Sequence, residues 1–224
     1  RKLTRPFDYQ IHTYSQSHPD IVKFLERIRT LLDRYAGIFT VAEIPGPNPL
    51  DEMKAFTAGD RRLNSAYSFD FLYAEKLTRA RTAASLTAWS ESAGEGWPSW
   101  AFSNHDAPRA VSRWARAELR DRAAKTYALL LMGLRGNIFL YQGEELGLPQ
   151  GEVPFEALQD PEAIANWPLT LGRDGARTPL PWSSGETNSG FSKAKPWLPI
   201  DARHDGLSID KQEADPNSTL HFFR

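Results

Sequence analysis

The 224-residue chain contains no cysteine, and its formal net charge is only −1. Without cysteine there can be no disulfide bond and no thiolate metal site, so the redox compartment stays open, with a cytoplasmic location favoured. The near-zero charge supplies neither a basic field for nucleic acid nor an acidic tail. No apolar run approaches the length of a membrane span. We therefore expect no nucleic-acid partner and no membrane partner.

Proline, glycine and tryptophan are the residues that stand out in the composition. The chain has 16 Pro, 15 Gly and 7 Trp within an otherwise ordinary globular balance of 41% hydrophobic and 25% charged residues. Tryptophan side chains occupy protein cores or stack on flat ligands, including sugar rings. We expect most of them to lie in the core.

Helix-like and strand-like segments alternate along the first two thirds of the chain. Apolar residues at one-face spacing predict a helix over 20–35, and the gapless run "IFTVAEI" then predicts a strand buried on both faces. Further helices are predicted over 49–58, 83–93 and 117–134, and further strands over 63–72, 99–104 and 137–143. This alternation predicts an α/β fold with a parallel sheet.

Polar residues follow each predicted strand. In a parallel α/β sheet or barrel, side chains at the carboxyl ends of the strands converge on one face. The candidates are Glu43, Asp70, Asn104, His105, Asp106, Gln142, Glu144 and Glu145. Each has a structural alternative, such as a turn former for Asn104 or a loop brace for the last two, and Arg109 is expected to brace carboxylates. Together, carboxylates at successive strand ends suit acid/base chemistry on a sugar acetal.

Five segments, in chain order, carry a family resemblance. "TVAEI", "FSNHDAPR", "GNIFLYQGEELG", "GRDGARTPLPW" and "EADPNSTLHFFR" resemble the α-glucosidase and oligo-1,6-glucosidase branch of the α-amylase superfamily of glycoside hydrolases. The similarity runs from about Phe39 to Arg224, and its second and fourth segments are the most specific.

The resemblance implies the C-terminal half of a (β/α)₈ TIM barrel, about strands 5–8, with a long irregular insertion after the last strand. Residues 1–147 would form this half of the catalytic barrel. Residues 148–211, rich in Pro, Gly and Trp, would form a loop-rich insertion over the active site. Residues 212–224 would begin the last barrel helix.

Site residues follow from the same resemblance, position by position. Glu43 resembles the general acid/base after strand five, although Ala42 precedes it where the family usually has Gly. Asp106 resembles the carboxylate that stabilises the transition state after strand seven. His105 resembles the sugar-binding histidine beside it, and Arg173 the arginine that reaches the same subsite from the long loop.

One member of the family's catalytic set has no counterpart. The nucleophile of the family is an Asp two residues after an Arg at a strand end, and no such strand end precedes Glu43. We therefore expect the nucleophile and the N-terminal half of the barrel to lie outside this chain, as would any structural Ca²⁺ site. The resemblance implies no required cofactor, and it assigns no residue of this chain as a metal ligand.

The function implied is hydrolysis of terminal α-glucosidic bonds in α-glucosides or small oligosaccharides. The reaction would be a retaining double displacement, with transglucosylation as a further outcome. A non-catalytic relative, of the kind that serves as the heavy chain of amino-acid transporters, is the alternative. The presence of Glu43, His105, Asp106 and Arg173 speaks against it. A third hypothesis is that these residues alone form only a folded remnant that needs the missing half as its partner.

Overall fold

The structure is a computed structural model that describes residues 9–45, 48–90, 96–170 and 172–224. Within these ranges the chain divides into two compact units. The strand unit comprises Ile11–Ala101 and Gly133–Phe139. The loop unit comprises Phe102–Met132 and Leu140–Arg224, together with residues 9–10. Each unit has buried apolar residues of its own.

The described residues of the strand unit form four strands in two parallel pairs. They are β1 (Val41–Ile44), β2 (Ser65–Ser68), β3 (Ser99–Ala101) and β4 (Asn137–Phe139). Strand β1 pairs with β2, with Val41 opposite Ser65, and β3 pairs with β4, with Ser99 opposite Asn137. Helix α1 (Ile21–Leu32) precedes β1, while α2 (Pro49–Thr57) and α3 (Arg79–Ser90) follow β1 and β2 in sequence. Parallel neighbours joined through helices form the βαβ arrangement that the alternation predicted.

A small polar cluster connects the two strand pairs. The buried hydroxyls of Ser65 and Ser99 lie 2.7 Å apart, and the side-chain amide of Asn137 donates to both at 3.4 Å. Gly136 precedes β4 with a φ of +137°, and a Cβ there would lie 2.5 Å from the carbonyl oxygen of Pro98. Only glycine fits this approach to the chain entering β3.

Aromatic packing fills the core of the strand unit. The rings of Phe71 and Trp100 meet edge to face with centroids 5.7 Å apart, and both residues are buried beside Leu72 and Met53. The indole N–H of Trp100 donates to the carbonyl of Arg135 at 2.8 Å, so its one polar atom is satisfied. Burying each such side chain contributes about 2 kcal/mol.

The loop unit is built from short helices and long irregular segments. Its helices are α4 (Ala110–Trp114), α5 (Arg120–Gly133), which ends at the unit boundary, α6 (Pro161–Asn166), α7 (Ile209–Ala214) and α8 (Thr219–Phe223). A cluster of Leu146, Leu148 and Leu220 packs against the partly buried Leu180 and Leu207. The stretch after residue 148 therefore packs on Leu146 and Leu148 of the turn after β4, although only short parts of it are helical.

The predicted elements occur near their predicted places, but β2, β3 and β4 are only three or four residues long, half the predicted length or less. Three further differences concern β1 and two helices. Strand β1 is not buried on both faces: Val41 is 48% exposed and Glu43, which lies on the same face two residues later, is exposed as well, while Ile44 on the opposite face is buried. Helix α3 begins four residues early, at Arg79, and the last predicted residues, 91–93, lie outside the described ranges. The helix predicted over 117–134 begins as a 3₁₀ turn and becomes α-helical at Arg120.

None of the helices in the described ranges combines the length and the apolar character that a membrane crossing requires.

Candidate active site

The turn after β3 is held in shape by a buried amide. The side-chain oxygen of Asn104 accepts hydrogen bonds from the backbone N–H groups of Asp106 at 2.9 Å and Ala107 at 2.8 Å. The buried hydroxyl of Ser103 accepts from the N–H of Ala110, at the start of α4. Asn104 is therefore a turn former, as the sequence predicted, and the turn leaves the His105 and Asp106 side chains partly accessible.

Three basic side chains approach the same oxygen of Asp106. Its Oδ1 lies 2.9 Å from Nη2 of Arg177, 3.4 Å from Nη1 of Arg173 and 3.6 Å from Nε2 of His105. Arg177 also donates through Nε to the carbonyl oxygen of His105 at 2.9 Å. The structure thus places a carboxylate among donors, an arrangement suited to holding several hydroxyl groups of a sugar.

Both arginines flank one 3₁₀ turn, Asp174–Ala176, whose residues are buried. The carboxylate of Asp174 accepts from the N–H groups of Gln159 at 2.7 Å and Asp160 at 2.9 Å. The turn is therefore tied to the chain that leads into α6. This anchoring fixes the backbone from which Arg173 and Arg177 extend.

A second anchor of the same turn is the carbonyl of Ala176. It accepts from the hydroxyl of Tyr141 at 2.9 Å and from Nη2 of the fully buried Arg109 at 3.2 Å. Arg109 also donates to the carbonyl of Gln142 at 2.7 Å. The expectation that Arg109 braces carboxylates is therefore wrong for its hydrogen bonds, which go to main-chain oxygens.

The two carboxylates near Arg109 accept hydrogen bonds from the backbone of the turn after β4. Glu144 accepts from the N–H of Tyr141 at 3.0 Å, and Glu145 accepts from the N–H of Gly143 at 2.7 Å. Both therefore act as loop braces. Burial raises the pKa of Glu144 to about 7, although the N–H of Tyr141 and the positive charge of Arg109 favour its ionised form.

Glu43 lies in the strand unit, as the third residue of β1. It stands opposite Tyr67 in the parallel register, and the Tyr67 hydroxyl donates to its Oε1 at 2.7 Å. The ring of Tyr67 in turn packs on Phe139 of β4, with centroids 5.1 Å apart. A side chain of the neighbouring strand thus orients an accessible carboxylate.

Asp70, another of the strand-end candidates, is part of a surface network. Its carboxylate accepts from Arg81 at 2.9 Å and from the hydroxyl of Ser85. Across the described parts of the chain, no group of three or more His, Asp or Glu side chains is placed to hold a metal ion.

Comparison with known proteins decides the family. The family model described as alpha amylase, catalytic domain, matches residues 4–224. The chain belongs to the α-amylase family. A probable alpha-glucosidase of Rhizobium meliloti (strain 1021) is 43% identical over 221 residues, which are 98% of this chain and 40% of that protein. An oligo-1,6-glucosidase of Parageobacillus thermoglucosidasius is 30% identical over 242 residues, covering 94% of this chain and 43% of that protein.

Solved structures of the α-amylase family have the same fold. The alpha-glucosyl transfer enzyme XgtA superposes with a TM-score of 0.89 at 42% identity, covering 96% of this chain and 40% of that one. Isomaltulose synthase from Erwinia rhapontici NX5 gives a TM-score of 0.80 at 26% identity, covering 92% of this chain and 42% of that one. The chain therefore has the α/β fold of part of an α-amylase catalytic domain, and it spans about two fifths of the length of these relatives.

Of the four predicted site residues, the structure brings three together. His105, Asp106 and Arg173 meet in the loop unit, and Glu43 lies in the strand unit beside Tyr67. Sequence reasoning missed Arg177, which makes the shorter contact with Asp106. Its signal was present, because "GRDGARTP" carries a second arginine four residues after the first.

Proposed function

We propose that this α-amylase family chain forms part of a retaining glycoside hydrolase that cleaves terminal α-glucosidic bonds of α-glucosides or small oligosaccharides. The observation that carries the proposal is the convergence of Arg173, Arg177 and His105 on Asp106. The similarity to an alpha-glucosidase and an oligo-1,6-glucosidase supports the substrate class. The similarity to an alpha-glucosyl transfer enzyme supports transglucosylation as a second outcome.

In the first step, Glu43 acts as the general acid. Its proton passes to the glycosidic oxygen while the bond from that oxygen to the anomeric carbon breaks. A carboxylate nucleophile forms a new bond to the anomeric carbon, giving a glycosyl ester. The accessible position of Glu43 and the hydrogen bond from Tyr67 suit a group that must reach a leaving oxygen.

In the second step, Glu43 acts as the general base. It takes a proton from water, whose oxygen bonds to the anomeric carbon while the ester bond to the nucleophile breaks. When the hydroxyl of a second sugar replaces water, the same step transfers the glucosyl group instead. The products differ only in which hydroxyl attacks.

Asp106, His105 and Arg173 act on the sugar ring. The carboxylate of Asp106 accepts hydrogen bonds from ring hydroxyls and stabilises the positive charge that develops at the anomeric carbon. His105 and Arg173 donate to the same hydroxyls, and such contacts strengthen as charge develops. Arg177 holds Asp106 and the His105 backbone in place through its two hydrogen bonds.

We further propose that the four parallel strands are strands five to eight of the barrel. Residues 148–211 would then be the insertion over the active site, and residues 212–224 would contribute to the last barrel helix. Strand β1 has β2 on one side only in the described ranges, and Phe39, just before β1, is 63% exposed. An unpaired edge with exposed apolar residues supports an N-terminal half of the barrel as the partner of this chain.

The nucleophile would lie in that N-terminal half, as would any structural Ca²⁺ site. The proposed reaction needs no organic cofactor, because carboxyl groups supply both the proton transfers and the nucleophile.

The test uses the complete enzyme and an aryl α-glucoside whose phenol is weakly acidic, so that the leaving group needs a proton. Glu43→Gln and Asp106→Asn should each lower kcat/KM by about 10³-fold, because one removes the proton donor and the other the stabilising charge. The control is Asp33→Asn, which removes an exposed carboxylate paired with Arg29 on α1 and should leave hydrolysis unchanged.

Full activity in either site variant would refute its assignment. A complete wild-type protein that folds but hydrolyses no α-glucoside would instead favour the non-catalytic, transporter-associated alternative.

A further inference from the structure

The carboxylate of Asp160 lies directly behind Arg173. Its side chain is fully buried, and its Oδ2 accepts from the backbone N–H of Arg173 at 2.8 Å and from Nε at 3.0 Å. Its Oδ1 accepts from Nη2 at 3.0 Å. These bonds occupy one edge of the guanidinium group, and the remaining Nη1 is the atom that contacts Asp106. Two hydrogen bonds along one edge fix the plane of the group as well as its position.

The surrounding chain is folded closely around this carboxylate. Asp160 caps α6 by accepting from the N–H of Glu162 at 3.1 Å. Gly172 has a φ of +62°, and a Cβ there would lie 2.8 Å from Oδ2 of Asp160 and 2.4 Å from the Cβ of Ala163. The backbone entering Arg173 can approach Asp160 this closely only without a side chain at residue 172.

The electrostatics agree with a tight pair. Burial works to raise the pKa of Asp160, but the hydrogen bonds from Arg173 outweigh it and hold this pKa below its usual range. The hydrogen bonds to Asp160, followed by the charge of Asp106, raise the pKa of Arg173 despite its partial burial. Arg173 therefore carries a charge shared between a buried carboxylate and the candidate catalytic one.

We propose that Asp160 is a positioning residue: it aims the guanidinium group of Arg173 at the sugar subsite beside Asp106. The inference rests on the proposed function, in which Arg173 contacts the sugar there. A donor that must meet developing charge contributes fully only when its orientation is set before the reaction. Asp160 supplies that orientation without touching the substrate.

Asp160→Asn and Asp160→Ser are the two informative substitutions. Both retain an oxygen that can cap α6, but neither can accept from both Nε and Nη2 of Arg173. In the complete enzyme, kcat and kcat/KM should fall together by about 10²-fold, because the lost contact acts in the transition state. Steady-state kinetics per folded molecule, measured beside the melting temperature, separates this effect from loss of structure.

A matched control exists in the same unit. Asp201 is also buried and caps a 3₁₀ turn. Its carboxylate accepts from the backbone N–H, Nε and Nη2 of Arg203, as the Asp160 carboxylate does from Arg173. Arg203 then donates to Glu152 and to the carbonyl of Gln150 rather than to Asp106. Asp201→Asn should therefore lower stability comparably and leave kcat and KM of the folded enzyme unchanged.

A double variant tests whether Asp160 acts through Arg173. On an Arg173→Gln background, Asp160→Asn should change kcat/KM by less than about threefold, because the contact is already lost. Arg173→Gln alone leaves the buried carboxylate of Asp160 without its arginine, and Asp160→Asn removes that charge, so the double variant should be at least as stable as Arg173→Gln alone.

Three results would overturn the inference: equal kinetic losses in the Asp160 and Asp201 variants, additive losses in the double variant, or an unchanged Arg173 contact with Asp106 in a crystal structure of Asp160→Asn. The crystal structure needs no activity. Its outcome therefore stays separate from failure of the proposed function, which is diagnosed by a wild-type enzyme that hydrolyses no α-glucoside.

Discussion

Two carboxylates of the loop unit are stabilised in opposite protonation states. Asp160 is held ionised by Arg173, whereas burial raises the pKa of Glu144 to about 7. Glu144 lines a small, mainly apolar cavity with Phe102 and Leu148 among its neighbours. The hydrogen bonds from the Tyr141 backbone and the Ser103 side chain, together with the nearby Arg109 guanidinium group, do not outweigh that burial, so its charge costs folding free energy near neutral pH.

The raised pKa of Glu144 predicts the pH dependence of stability. Between about pH 4.5 and about pH 7 the folded state binds a proton that the unfolded state has released. The contribution of Glu144 to the free energy of unfolding is therefore fully present below pH 4.5 and is lost as the pH rises through about 7. The loss amounts to about 3 kcal/mol at most. Urea unfolding of the complete protein at pH 5 and pH 8 measures this loss.

Glu144→Gln should reduce the difference between the two pH values, because a neutral amide replaces the titrating group. Glu145→Gln is the control, since Glu145 braces the same turn through the N–H of Gly143. A Glu144→Gln variant with the full wild-type pH dependence would contradict this account of Glu144.

Among the structural elements, the turn over residues 103–107 links stability to the candidate site most directly. Its Asn104 oxygen accepts two backbone N–H groups, one of them from Asp106 itself. Asn104→Ala should cost about 2 kcal/mol of stability, because two N–H groups lose their acceptor. It should also lower kcat for an aryl α-glucoside, because Asp106 is no longer held toward Arg173 and Arg177. Denaturation and steady-state kinetics measure the two effects.

Asn64→Ala is the matched control for the turn. The Asn64 oxygen accepts from the backbone N–H and the hydroxyl of Thr40 in the strand unit. Its loss should lower stability and leave kcat of the folded enzyme unchanged. Equal kinetic effects of the two substitutions would show that the turn has no special relation to catalysis.

For the helices and strands, the sequence predicted the alternation, because apolar spacing determines which face of an element can be buried. The short helices α4 and α6 were not predicted, since five or six residues carry too little periodicity. The exposure of β1 was not predicted either. Burial of a strand depends on its neighbours, and residue pattern alone does not reveal which neighbours are in the chain.

For the whole molecule, motif identity predicted the grouping of His105, Asp106 and Arg173, and the loop unit contains that group. The role of Asp160 could not be read from spacing, and the role of Arg177 was signalled only by the second arginine of "GRDGARTP". Both roles depend on how the segments around residues 106, 160 and 175 fold together. The contacts of Arg173 and Arg177 with Asp106 join residues more than fifty positions apart, and the Asp160–Arg173 contacts lie in a stretch without regular periodicity.

The central claim is that Glu43 is the general acid of an α-glucoside hydrolase to which this chain contributes. The most direct test measures, in the complete enzyme, how the kcat/KM of Glu43→Gln depends on the acidity of the leaving phenol. With an aryl α-glucoside whose phenol is weakly acidic, Glu43→Gln should lower kcat/KM by about 10³-fold, because that leaving group needs a proton. With a strongly acidic phenol, which leaves without protonation, the loss in kcat/KM should be far smaller. Equal losses with both substrates, or no loss with either, would contradict the account.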